Sequence, residues 1–313
     1  MKLKKPNFWD YKKPNFLSYL LLPFSLPILI NNFFLNFYKN KNKNKNIKCI
    51  CIGNIYLGGT GKTPLTIKIN YLLKRLNYKT ATIKKFYKNQ IDEQKLLSNK
   101  TKLYCSKKRS EALSRAIHDN IDVVVFDDGL QDRSMNYDLS FVCFNSNKWI
   151  GNGFLIPAGP LREKLKSISR YDAVFLNGND EDISDLKELI INYNKNIKIF
   201  ETSYLPININ KLNKLEKYLI FSGIGNPDSF AKMLLKNNLN VVKEIIFPDH
   251  YQYTSNDITK IKLQAKKLDS KILTTEKDFV KLNDKDSNGI DFVEVIIDIK
   301  EEDELIKFIC KNI

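Results

Sequence analysis

The stretch that most constrains this chain is Ile50-Cys51-Ile52-Gly53-Asn54-Ile55-Tyr56-Leu57-Gly58-Gly59-Thr60-Gly61-Lys62-Thr63-Pro64. Residues 47–52 are mostly apolar and read as a buried strand, and residues 65–76 read as an amphipathic helix. Strand, glycine loop, Lys-Thr and helix, in that order, predict a phosphate-binding loop. Glycines let backbone N–H groups turn inward around phosphate oxygens, and the helix start adds unpaired N–H groups and a positive dipole end. Ile55, Tyr56, Leu57, Gly58, Gly59, Thr60, Gly61, Lys62 and Thr63 are therefore the expected nucleotide-binding run. Lys62 is placed to reach the β- and γ-phosphates, and the Thr63 hydroxyl to ligate Mg²⁺. One position departs from the strict pattern, whose first glycine would fall at Tyr56. An ordinary Gly-rich turn is the plain alternative, and Gly-Lys-Thr at the helix start argues against it.

The run Val123-Val124-Val125-Phe126-Asp127-Asp128 has the form of a second nucleotide motif. An apolar strand carries a carboxylate to its C-terminal edge, where ligands of open α/β sheets bind. Asp127 or Asp128 is then the expected acid for Mg²⁺ beside the loop. Strands and helices alternate from there, with strands expected at 79–84, 102–105, 139–144, 173–176 and 198–200 and a helix at 109–118. Such alternation predicts a mostly parallel sheet flanked by helices. A second α/β unit begins near Lys217, with strands at 218–221, 241–247, 271–275 and 293–297 and a helix at 258–268. The expected organisation is an N-terminal segment at 1–45, a P-loop domain at 46–204, a linker at 205–217 and a smaller C-terminal α/β domain at 218–313.

A chain of 313 residues with 43% hydrophobic content has enough apolar side chain for two packed domains. The net charge of +16 is concentrated: residues 1–48 hold ten lysines and one acid, Asp10. Within that basic end, residues 16–30 are almost wholly apolar, FLSYLLLPFSLPILI. The run is short for a spanning helix, and Pro23 and Pro27 interrupt it. Lys12 and Lys13 flank one side and the Lys/Asn repeat at 39–45 the other. This pattern predicts a segment lying in the headgroup region of an anionic membrane, rather than a signal peptide or a core helix. The cysteines Cys49, Cys51, Cys105, Cys143 and Cys310 contain no C-x-x-C pair and read as buried thiols of a reducing compartment, not a disulfide frame or zinc site.

Several further blocks resolve together. They are Phe8-Trp9, Gly53-Asn54 leading into the loop, Asp127-Asp128-Gly129-Leu130-Gln131, and Pro157-Ala158-Gly159-Pro160-Leu161-Arg162-Glu163. Gly223-Ile224-Gly225-Asn226-Pro227, Asp249-His250 and Thr274-Thr275-Glu276-Lys277-Asp278 follow. In this order the chain resembles the tetraacyldisaccharide 4'-kinase family, the lipid A kinases, nearly end to end. The resemblance implies ATP- and Mg²⁺-dependent phosphorylation of the 4' hydroxyl of a lipid A disaccharide precursor. It also implies two α/β domains facing a cleft, a place on the cytoplasmic face of the bacterial inner membrane, and no nucleic-acid partner. Three departures stand out: Lys85-Phe86-Tyr87 where the family usually has Arg-Gly-Tyr, Ile91-Asp92-Glu93-Gln94 where it has Gly-Asp-Glu-Pro, and Asp132 where it often has His.

The resemblance makes Asp92 the expected general base, because a sugar hydroxyl becomes a competent nucleophile only as its proton is removed. His250, expected in the other domain, would orient or share charge with it as the cleft closes. Lys62 and either Arg109 or Arg162 would stabilise charge on the transferring phosphoryl group. Gln131 and Glu163 are expected either to touch substrate or to support the groups that do, and Glu93 is an expected substrate-side group. Two other classes stay open on the residues alone: a soluble P-loop kinase of a small metabolite, and a nucleotide-gated binding protein without phosphoryl transfer.

Overall fold

The computed structural model describes residues 5–37, 47–132, 134–178 and 183–313. The Lys/Asn repeat at 39–45 lies outside the described residues. In chain order, helices α1 (Phe16–Leu21) and α2 (Leu26–Phe37) precede β1 (Lys48–Gly53) and α3 (Lys62–Arg75). Then come β2 (Thr80–Lys85), α4 (Ile91–Lys100), β3 (Leu103–Ser106), α5 (Arg109–His118), β4 (Val123–Asp127) and β5 (Leu139–Asn145). β6 (Ala173–Asn177), α6 (Ser184–Tyr193), β7 (Lys198–Pro206), β8 (Lys217–Ser222), α7 (Pro227–Lys236) and β9 (Asn240–Ile246) follow. The chain ends with α8 (Ser255–Lys267), β10 (Lys271–Thr275), α9 (Glu276–Phe279), α10 (Asp284–Ser287), β11 (Ile290–Val293), β12 (Val295–Ile299) and α11 (Glu302–Asn312).

These elements form two compact units that do not follow chain order. The first takes in the described residues up to Phe86, Thr101–Tyr204 and Ile297–Ile313; the second takes in Tyr87–Lys100 and Leu205–Ile296. The expected domains, 46–204 and 218–313, assigned α4 to the first and the C-terminal tail to the second. α4 packs with α9 instead, and Leu305 and Ile309 of α11 join the core of the first unit.

The first unit is built on an eight-stranded sheet ordered β12-β7-β6-β5-β1-β4-β2-β3. Pairing from β3 through to β7 is parallel. Alternate residues of each central strand face opposite layers. Ile50, Ile52, Val123 and Val125 pack with Leu65, Ile69 and Leu73 of α3. Cys49, Cys51, Val124 and Phe126 pack with Ala112, Leu113 and Ala116 of α5. Covering on both faces is why these strands are continuously apolar rather than alternating.

The second unit is a four-stranded sheet ordered β11-β10-β8-β9, parallel throughout. Leu234 of α7 and Ile261 of α8 belong to its two cores. The single strand expected at 293–297 is two strands: β11 pairs with β10, and β12 belongs to the eight-stranded sheet. One apolar run serves two sheets, and its sequence carries no mark of the division. All five cysteines are free thiols; Cys49, Cys51 and Cys143 are buried as expected, whereas Cys105 is half-buried and Cys310, on the terminal helix, is exposed.

Candidate active site

β1 delivers the loop at 54–61 from the C-terminal edge of the first sheet, between β4 and β5. Asn54, fully buried, holds the loop across itself: its amide donates to the carbonyls of Tyr56 and Gly58 and to Thr60 Oγ1 at 2.5, 3.3 and 3.1 Å. Positive φ falls at Gly58 (148°) and Gly61 (88°), not at Tyr56. That is why tyrosine is tolerated where the strict pattern asks for glycine. Tyr56 is 1% exposed and its hydroxyl donates to the Asp10 carboxylate. A Cβ at Gly61 would also stand 2.5 Å from Asn177 Nδ2.

The Pro-rich block braces this loop. Leu57 N–H donates to Pro160 O at 2.8 Å, and Arg162 N–H donates to Ile55 O at 2.7 Å. Of the expected nucleotide-binding run, Ile55, Tyr56 and Leu57 therefore act as framework. Among the described residues the N–H groups of Gly59, Thr60, Gly61, Lys62 and Thr63 donate to no protein acceptor. They form the anion nest, and α3 begins directly behind it with no side-chain cap.

Asp127 ends β4 with no exposed surface. Its Oδ2 accepts from Thr63 Oγ1 at 3.2 Å and from Lys84 Nζ at 2.6 Å, and its Oδ1 accepts from Thr66 Oγ1 at 3.5 Å. A hydroxyl beside a carboxylate suits Mg²⁺, which takes one or two protein oxygens and completes its shell with water and phosphate. Among the described residues no group of three or more His, Cys, Asp or Glu is placed to hold a metal by itself. Asp128 turns out of the strand at φ 58° and accepts from Arg162 Nη1 at 2.8 Å. Burial pushes its carboxyl up, but Lys62, Arg162 and Lys84 outweigh burial and hold it down at about 2.

The other expected groups divide by burial. Arg162 keeps a quarter of its side chain exposed. Arg109 is buried, paired to Asp132 at 2.8 Å and donating to the Asp128 carbonyl. Arg162 is thus the arginine open to a phosphate, and Arg109 holds the turn at Asp128. Glu163, expected to touch substrate or to support a group that does, is 1% exposed and accepts from Arg170, from Tyr171 Oη at 2.9 Å and from Gln131 Nε2 at 2.8 Å. The same Gln131 nitrogen donates to Asn54 O at 3.0 Å. Both side chains join the loop to the Pro-rich block rather than facing out.

A second cluster lies wholly within the second unit. Asp92, in the first turn of α4, is 1% exposed, and its two oxygens lie 2.9 and 3.1 Å from His250 Nδ1. His250 follows β9 in a left-handed turn at φ 57°, with its N–H on Gly223 O and Asp249 Oδ1. Lys277 Nζ stands 3.3 Å from Glu93, 3.3 Å from Asp249 and 3.7 Å from Asp92. Lys281, 3.6 Å from Asp92, is held at 2.7 Å by Asp278, which also accepts from Gly223 N–H and Tyr253 Oη. Burial pushes the Asp92 carboxyl up, and the His250 hydrogen bond with the charges of Lys277, His250 and Lys281 brings it down to about 2. The pair was expected to form across closing domains; here it is already formed inside one unit. Glu93, its side chain 17% exposed, is tied to Lys277.

Lys84, Lys277, Lys281 and Asp278, which the structure brings into these two clusters, are not singled out by the sequence. A lysine in the apolar run Thr-Ala-Thr-Ile-Lys was the available signal for Lys84. The block at 274–278 was noticed without a role for any member.

Comparison with known proteins covers nearly the whole chain. Residues 17–313 match the model of the family described as Tetraacyldisaccharide-1-P 4'-kinase. A tetraacyldisaccharide 4'-kinase of Pelagibacter ubique is 49% identical over 311 residues, covering 99% of this chain and 98% of that one. Another, from Rickettsia akari, is 32% identical, covering 100% of this chain and 98% of that one. A crystal structure of LpxK from Aquifex aeolicus in complex with ATP superposes with a TM-score of 0.70 at 24% identity, covering 94% of this chain and 99% of that one.

Proposed function

The chain belongs to the tetraacyldisaccharide-1-P 4'-kinase family, and from that premise we propose how its residues carry out the reaction. ATP donates its γ-phosphoryl group to the 4' hydroxyl of a tetraacyldisaccharide 1-phosphate, the lipid A precursor. The hydroxyl oxygen attacks the γ-phosphorus, the bond to the β–γ bridging oxygen breaks, and ADP leaves with that electron pair. Asp92 takes the hydroxyl proton. A carboxylate held near 2 is a weak base, and a loose transition state suits it because the proton is lost late. His250 orients Asp92 through Nδ1. The nest at 59–63 and Lys62 hold the phosphates, and Arg162 meets charge on the transferring group. Thr63 and Asp127 would hold Mg²⁺, which supplies charge neutralisation on the phosphate oxygens. Asp128 orients Arg162.

The observation that carries this reading is the Thr63–Asp127 contact at 3.2 Å. It joins the loop helix to the acid-tipped strand at the sheet edge where phosphate ligands bind. The test is incubation with γ-labelled ATP and the disaccharide 1-phosphate lipid. Label is expected in a doubly phosphorylated lipid. Label only in a water-soluble acceptor would favour a metabolite kinase, and ATP bound without transfer would favour a binding protein.

An amphiphilic substrate also accounts for the N-terminal segment, which is built inside out. Phe16 and Phe24 are 79% and 66% exposed, whereas Ser18 and Ser25 are buried. Ser25 donates to Leu155 O at 3.0 Å, Asn152 to Ser18 Oγ at 2.9 Å, and Asn32 to Arg162 O at 2.9 Å. Its polar side chains grip the Pro-rich block and its apolar ones face outward. A large exposed apolar patch marks an interaction surface, and the residues 16–34 are also long and apolar enough to cross a bilayer. The reading favoured here is contact with an anionic surface on the cytoplasmic face, supported by exposed Lys12 and Lys13. Binding to vesicles is expected to rise with anionic lipid and weaken with salt. Salt-insensitive retention released only by detergent would indicate a spanning helix instead.

A further inference from the structure

We propose that Lys84 is a positioning residue of the nucleotide site: an internal ammonium that neutralises Asp127 and carries part of the positive charge a divalent cation would otherwise supply there. The inference rests on the nucleotide-binding reading above.

Lys84 and Asp127 are register partners on the adjacent parallel strands β2 and β4. Their side chains are 2% and 0% exposed and 2.6 Å apart. The Asp127 oxygen that Lys84 holds, Oδ2, is the one that accepts from Thr63. Stability does not explain a lysine in this place. Burying an ammonium and a carboxylate costs several kcal/mol each, and an apolar replacement of such a pair is often neutral or stabilising. The preceding residues of β2 are Thr80, Ala81, Thr82 and Ile83, all buried. The charge appears only at the strand end, level with Asp127.

Two consequences follow from its position. With its charge balanced, Asp127 has little pull on a bare cation from solvent, so the metal enters with the nucleotide. The Thr63 hydroxyl keeps donating its O–H to Asp127, which leaves its oxygen lone pairs free for that metal. Phosphate charge is then met by Lys62 without repulsion from an unbalanced Asp127, even before a cation arrives.

The test is calorimetric titration of ADP into the intact protein, in excess Mg²⁺ and in excess chelator, for wild type, Lys84→Gln, Lys84→Met and Lys84→Arg. In wild type the loss of affinity on chelation is expected to stay below about thirtyfold; a larger loss overturns the proposal. In Lys84→Gln, which keeps a hydrogen-bond donor and removes the charge, that loss is expected to grow by about fivefold or more, and Lys84→Arg should restore it. Lys84→Met should match Lys84→Gln. A smaller growth in a variant that melts cooperatively overturns the proposal, because a purely structural lysine would weaken binding equally with and without metal. Should both neutral variants fail to fold, the wild-type comparison decides alone. Absence of ADP binding in wild type under both conditions would defeat the nucleotide-site reading itself.

Discussion

Lys62→Ala is expected to lower turnover by about 10²–10³-fold while leaving the melting transition in place. The position is the first residue of α3 and is only half buried. Alanine is a good helix former there, so little folding energy is at stake. The ammonium acts on negative charge that grows on the transferring phosphoryl oxygens, and its loss raises the transition state more than the ground state. It is also the foremost of the charges holding Asp128 down, so the Arg162–Asp128 pair loses a neighbour as well. The expected signature in the labelled-ATP assay is a fall in kcat larger than the rise in KM for ATP. A folded Lys62→Ala enzyme with near-normal turnover would sink the assignment.

Asp92→Asn is expected to slow the chemical step by about 10²–10⁴-fold, the range for loss of a positioned base. His250→Ala should slow it too, by releasing the carboxylate it holds at 2.9 Å. If the two act as one unit, the double variant costs little beyond the worse single change. Single-turnover rates of the four enzymes decide this: strictly multiplicative losses would reject the coupled pair, and an unimpaired Asp92→Asn would reject the base. Because both residues lie in the second unit, the coupling should persist without bound ATP, as a stability coupling in the same cycle. The pH dependence has a defined sign. The Asp92 carboxyl is lowered from 3.8 to about 2, so its contribution is complete above the unfolded value and is lost as pH falls through the folded one. The stability gap between wild type and Asp92→Asn should be constant above about pH 4 and shrink below it, by roughly 2 kcal/mol in all. Urea unfolding across that range measures it.

The loop, its Lys-Thr and the acid-tipped strand were legible in the chain because each is a local pattern. An apolar strand, a glycine turn and a helix start occur within residues 47–76, and their neighbours in sequence are their neighbours in space. α5 was expected at 109–118 and is found there for the same reason. The Pro-rich block was legible as a family motif, but not as a brace. Its partners at Ile55 and Leu57 lie about a hundred residues away, and no spacing rule reaches that far.

By itself, then, the sequence determined the parallel α/β class, the family and the phosphate loop, because periodicity and short motifs encode what a segment does within its own length. Tertiary structure alone decided which charges meet. Lys84 faces Asp127 through strand register, and shifting it by one residue would turn it to the opposite face of the sheet. Glu163 was expected on the substrate side and is 1% exposed, since Arg170, Tyr171 and Gln131 close over it. Asp92 and His250 are 158 residues apart in the chain and share a hydrogen bond because α4 packs with the second unit. Each of these depends on long-range packing, in which burial and pairing are fixed by neighbours that the local sequence does not name.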